Sequence, residues 1–206
     1  TDYGTISDIT ISSGDTTGTA SFTPTDDNLY ETSTDETATV SITGVSGGSA
    51  TESGSQSVTL TIEENESAPT VTLSTSATSI DENSGSVLTL TATLSVATTA
   101  DVTVTIATSG SATEGTDYTD GSGNIDDLVI TAGNTTETIS FKPTDDSVYE
   151  GDETATISID SVSGGEASEN GTQAVTITIS ENESAPTVTL SVSASSIAEN
   201  SGSTLT

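Results

Sequence analysis

An eleven-residue segment, Glu64-Asn65-Glu66-Ser67-Ala68-Pro69-Thr70-Val71-Thr72-Leu73-Ser74, returns unchanged as Glu181 to Ser191, a shift of 117 residues. Shorter anchors recur with it. Thr1-Asp2-Tyr3 returns as Thr116-Asp117-Tyr118, and Glu82-Asn83-Ser84-Gly85-Ser86 returns as Glu199 to Ser203. A period of this size is a domain repeat and not a solenoid repeat, because a chain that long encloses its own core. The reading that follows is a tandem array. Residues 1–66 are the C-terminal part of one unit, 67–183 a complete unit, and 184–206 the start of the next.

Inside the complete unit apolar residues alternate with Thr and Ser. Val71 and Leu73 open the first strand, and Leu88, Leu90, Ala92 and Leu94 line the second. Val102, Val104 and Ile106 follow, then Leu128 and Ile130, then Ile139 and Phe141. Ala155, Ile157 and Ile159 make a sixth strand, and Val175, Ile177 and Ile179 a seventh. Turn residues separate them, at 83–85, 121–124, 132–134 and 164–165. Period two makes half-buried strands, and seven of them in one such unit predict an all-β, Ig-like antiparallel sandwich. Tyr149, just ahead of the sixth strand, stands where a corner-tying hydroxyl or a packing ring is expected. The Ser-Ala-Pro joints at 67–69 and 184–186 are short and stiff, so successive units are expected to abut.

The chain carries 32 acidic residues against one basic residue, Lys142. A net charge of −31 opposes phosphate-backbone binding, which needs Lys and Arg, and opposes attachment to anionic membranes. No run of eighteen apolar residues exists to span a bilayer. Hydrophobic content is 30% and aromatic content 3%, so the core must be built from Val, Ile, Leu and Ala. With neither Cys nor His, no disulfide staples the fold and no His- or Cys-based nucleophilic site is available.

The acids are not spread evenly. Of nineteen between Ser67 and Glu183, ten lie where a sandwich would gather them at one end: Asp81, Glu82, Asp117, Asp145, Asp146, Glu150, Asp152, Glu153, Glu181 and Glu183. Most recur in the preceding copy, as Asp2, Asp26, Asp27, Glu31, Asp35, Glu36, Glu64 and Glu66. Asp81 becomes Ala198 in the following copy while Glu82 remains Glu199, which makes Glu82 the better ligand candidate. Loop carboxylates offering many oxygens at adaptable angles suit Ca2+ better than Mg2+, and nothing here suits Zn2+. The competing reading is a solvated acidic surface that serves solubility or salt adaptation.

These segments resemble the Calx-beta domain. The resemblance is carried by Ser79 to Gly85, by Ala112-Thr113-Glu114-Gly115-Thr116-Asp117-Tyr118, by Ile139 to Asp146, and by Tyr149-Glu150-Gly151-Asp152-Glu153-Thr154. It implies a seven-stranded sandwich with Ca2+ at one end, held by Glu82, Asp117, Asp145, Asp146, Glu150 or Glu153, and Glu181 to Glu183. One departure is that the last run reads Glu-Asn-Glu and not a string of aspartates, which implies fewer or weaker ions. Tandem members in large bacterial surface proteins imply an extracellular or cell-surface location.

The function expected is non-enzymatic: a Ca2+-stabilised stalk or fibre-forming segment, with neighbouring repeats or identical chains as partners. The alternative is an adhesin module whose acidic loops make a Ca2+-dependent contact with a glycan, receptor or matrix ligand. Edge-to-edge pairing of Thr-rich strands would give a filament.

Overall fold

The computed structural model describes residues 2–31 and 34–206. Ahead of the complete unit lie β1 (Leu29–Tyr30) and an antiparallel pair, β2 (Glu36–Ser41) and β3 (Ser57–Ile62). The unit itself runs β4 (Thr70–Thr75), β5 (Ser79–Asp81), a single 3-10 turn over Glu82–Ser84, β6 (Leu88–Leu94), β7 (Ala97–Thr98) and β8 (Val102–Gly110). It continues with β9 (Tyr118–Thr119), β10 (Leu128–Ile130), β11 (Thr136–Pro143), β12 (Glu153–Ser163), β13 (Ser168–Glu169) and β14 (Ala174–Ser180).

Two five-stranded sheets result, ordered β13-β4-β6-β11-β9 and β10-β8-β12-β14-β5. Their long strands pair antiparallel. The alternation explains why the sheets face each other: Val71 and Leu73, Leu88 to Leu94, Val102 and Val104, Ala155 to Ile159, and Ile177 and Ile179 all bury the apolar member of each pair of residues. Each such Val, Leu or Ile contributes about 1.5–3 kcal/mol by leaving water. Ile106, Ile139 and Val175 pack against this core only in part. Tyr118 and Phe141 stack at its end with ring centroids 4.7 Å apart.

All seven strands expected from the alternation are present. The structure adds four short ones. Three of these pair in parallel, β5 with β14, β13 with β4 and β7 with β1. The outermost strand at each side of both sheets is therefore only two or three residues long. Where longer strands run past them, side chains take the spare N–H groups: Ile106 N donates to Asp127 Oδ1 (3.1 Å), Leu73 N to Gln173 Oε1 (3.3 Å) and Thr138 N to Glu137 Oε1 (3.0 Å).

One glycine fixes the approach to the acidic end. Gly110 closes β8 with φ +127°, and a Cβ there would lie 2.0 Å from the carbonyl oxygen of Thr154. The chain thus crosses directly over the head of β12, where Ala112 N donates to Thr154 O at 3.0 Å, and delivers residues 113–117 to the same end.

The preceding copy touches the complete unit at the opposite end. β1 lies parallel to β7, with Leu29 opposite Ala97 and Tyr30 opposite Thr98. Thr99 N donates to Tyr30 O (3.2 Å), and the Tyr30 hydroxyl donates to Glu166 Oε2 at 2.6 Å. Tyr149, the counterpart of Tyr30, ties no corner: it is 45% exposed. Over residues 184–206 no strand is formed.

Candidate metal centre

The inward stripe of several strands ends in carboxylates. On β12 the series Ile159, Ile157, Ala155 continues to Glu153, and on β14 the series Ile177, Ile179 continues to Glu181 and Glu183. Buried Ile80 leads to Glu82, and buried Tyr118 pins Asp117 beside it. Side chains at i and i+2 share a face. The periodicity that builds the core therefore carries these acids over its rim.

Two groups form there. Asp117, Glu150 and Glu153 each offer an oxygen within 4.8 Å of the others, and so do Glu82, Glu181 and Glu183. The preceding copy repeats the first group: Asp2, Glu31 and Glu36 meet the same criterion. These are the counterparts of Asp117, Glu150 and Glu153, in a copy whose intervening loop differs in length.

The other expected residues hold the scaffold. Asp146 offers its N–H to Glu82 Oε1 (3.3 Å) and takes Val148 N on its own carboxylate (2.6 Å). Asp27 takes Leu29 N in the same way at 2.9 Å. Asp152 accepts Glu181 N at 3.0 Å, and Asp26 accepts Asn65 Nδ2 at 3.1 Å. Asp145 is near enough to push up the carboxyls of Glu82 and Glu183. Asp35 is exposed, outside the three groups.

Glu181 has a second role that its position in the sequence did not announce. Its carboxylate accepts the N–H groups of Glu150 (2.6 Å), Gly151 (2.9 Å), Asn182 (2.8 Å) and Glu183 (2.8 Å). It clamps the acidic loop to the end of β14. Glu64 does the same in the preceding copy, accepting Glu31 N (2.8 Å) and Glu66 N (2.9 Å). Acids outside the end do ordinary loop work. Glu114 accepts Thr108 Oγ1 and Ile125 N, and Asp120 caps Ser122 and Gly123.

The carboxyls respond to this crowding. Burial, then the charge and hydrogen bond of Asp117 and the charges of Glu150 and Glu82, push Glu153 up to about 6. Glu150 is raised by burial and by Asp117, Asp146 and Glu181. Glu82 is raised by burial and by Glu181, Asp146 and Asp145. Glu31 is raised by burial and by Glu36, Asp2, Asp27 and Glu64. Glu181 runs the other way, to about 2, because the N–H groups of Glu183, Glu150 and Gly151 favour its charged form. At Glu64 burial opposes the same effect, and the N–H groups of Glu31 and Glu66 prevail. Glu66 and Glu183 are raised by the hydrogen bonds they make to Glu64 and Glu181.

The donor set fits a hard divalent cation. Every group offers carboxylate oxygen, and neither Cys nor His is available to favour a softer metal. Glu183 Oε2 is buried and meets no hydrogen-bond donor. A buried acceptor without a donor is costly, and a cation among Glu82, Glu181 and Glu183 would satisfy it.

Residues 64–183 match the Calx-beta domain family. Among solved structures, the crystal structure of the apo-form Calx CBD1 domain is similar at 20% identity and TM-score 0.45, over 55% of this chain and 98% of that one. The crystal structure of CBD12 from CALX1.2 is similar at 21% identity and TM-score 0.42, over 50% of this chain and 40% of that one. No curated protein matches this chain.

Proposed function

The chain belongs to the Calx-beta domain family, and from that premise we propose that it binds Ca2+ at the acidic end of each unit and works as a non-enzymatic, Ca2+-stiffened structural or adhesive array outside the cell. The three-part division at 66/67 and 183/184 belongs to this proposal. One observation carries it: two copies with different loop lengths bring the same three acids together, Asp117, Glu150 and Glu153 in one and Asp2, Glu31 and Glu36 in the other. A merely solvated surface gives no reason for that coincidence.

In the complete unit Asp117, Glu150 and Glu153 would hold one ion, with Glu82, Glu181 and Glu183 available to a second. The ion's chemistry would be charge neutralisation among carboxylates that otherwise repel. The chain's own contribution is to hold those carboxylates on strand ends. Because they come from β12, the end of β14 and the 113–117 crossing, an ion would tie distant segments together and couple binding to the rigidity of that end. Among the described residues no helix is long and apolar enough to cross a membrane.

The test is thermal melting and isothermal titration at low ionic strength, with Ca2+, with Mg2+ and with chelator. The expected result is a saturable Ca2+-specific rise in melting temperature. Identical melting with and without chelator would sink the proposal.

A further inference from the structure

The two copies of the acidic loop differ in surroundings. Leu29 and Tyr30 align with Val148 and Tyr149, each pair standing between two aspartates and a glutamate of the site. Tyr30 is 2% exposed, whereas Val148 and Tyr149 are 58% and 45% exposed. What covers Tyr30 is the base of the complete unit: β7 pairs with it, Thr99 Oγ1 donates to Glu31 O at 3.1 Å, and Glu166 takes its hydroxyl.

We propose that Val148-Tyr149-Glu150 is a docking strand for another complete unit of this repeat, received by that unit's counterparts of Ala97–Thr99 and Glu166. The receiving surface is built for close approach. Gly165 packs so near Thr98 that a Cβ would lie 2.7 Å from Thr98 Oγ1. Buried Thr98 is held by its own hydroxyl bond to Ala100 O at 2.5 Å. Glu166 sits in the left-handed region, with φ 53°, at the apex of this turn. Its counterpart in the preceding copy is Ser49, also left-handed at φ 55°. The turn thus belongs to the repeat, while the carboxylate that receives the tyrosine belongs to this unit. Main-chain pairing is the common part of the joint, and the Tyr–Glu hydrogen bond is a feature that differs from unit to unit.

The pairing is defined without an ion, so it stands or falls apart from the Ca2+ reading. The chain has no cysteine, which makes cross-linking clean. In a chain of residues 1–183 followed directly by one more copy of residues 67–183, Val148→Cys is combined with Cys at the added unit's counterpart of Ala97. Leu29→Cys with Ala97→Cys in the present chain is the reference pair. On oxidation both pairs are expected to close within one molecule, with yields within about twofold, since neighbouring strands meet disulfide geometry. Tyr149→Asp is expected to lower the Val148 cross-link severalfold, and Tyr149→Phe less. The proposal is overturned if the reference pair closes while the Val148 pair does not, or closes only between molecules. Ca2+ titration of the same extended chain reads the metal site separately.

Discussion

Glu153→Gln separates repulsion from ligation, because the two respond with opposite sign. Glu153 ends the inward stripe of β12 and faces Asp117, Glu150 and Glu82, and its carboxyl is held at about 6 in place of 4.5. In chelator at neutral pH the wild-type group is ionised against that environment, and the amide keeps its shape without its charge. A rise from 4.5 to about 6 would correspond to about 2 kcal/mol if fully felt. Solvent screening of a partly exposed carboxylate cuts this to about 0.5–1 kcal/mol. Unfolding a unit of about 110 residues carries about 0.23 kcal/mol/K, so the variant should melt about 2–4 °C above wild type in chelator. The folded-state value is the raised one, so the wild type's handicap is absent below pH 4.5 and grows as pH rises to about 6. The variant's advantage should therefore vanish in acid. In Ca2+ the order reverses. A ligand at about one hundred times its Kd stabilises by about 2.7 kcal/mol, or about 12 °C on the same scale, and losing one of three clustered carboxylates removes most of it. Melting followed by circular dichroism, in chelator and in saturating Ca2+, reads both arms. A variant that melts above wild type in both, or below it in both, refutes the reasoning.

Other substitutions test the frame. Glu181→Gln should speed hydrogen exchange at the amides of Glu150, Gly151 and Glu183 while core amides of β6 and β12 stay protected. Glu181 is held at about 2, so its contribution is present above pH 4.5 and is lost as pH falls through about 2, which an acid titration of those amides would follow. Phe141→Ala, at the fully buried stack with Tyr118, should cost about 3–5 kcal/mol in urea unfolding. Gly110→Ala should prevent normal folding by driving a Cβ against Thr154 O, whereas Gly123→Ala, with open space around it, should change stability by less than about 0.5 kcal/mol.

The long strands were legible because each carries several apolar residues at period two, and burial needs no further information. β5 and β13 were not. Their two or three residues carry no measurable period, and their parallel pairing depends on main-chain geometry set by the sheets around them. At the acidic end, composition and recurrence pointed to the right loops. They did not separate Glu153, which faces other carboxylates, from Asp146 and Asp152, which spend oxygens on backbone N–H groups. That sorting follows from loop geometry. Glu181 belongs to both classes, and no pattern of residue types announces a carboxylate that accepts four amides. Tyr149 was assigned by its place ahead of a strand. Its copy, Tyr30, reaches across the joint to Glu166.

The brevity of the outermost strands bears on how a chain with internal repeats folds. Repeated segments within one chain invite swapped or mismatched strands, since each half-formed copy offers the other a similar template. A two- or three-residue rim, with the adjacent amides already plugged by Asp127, Gln173 and Glu137, gives that template little to grip. The same short rims leave little edge on which cross-β growth could start.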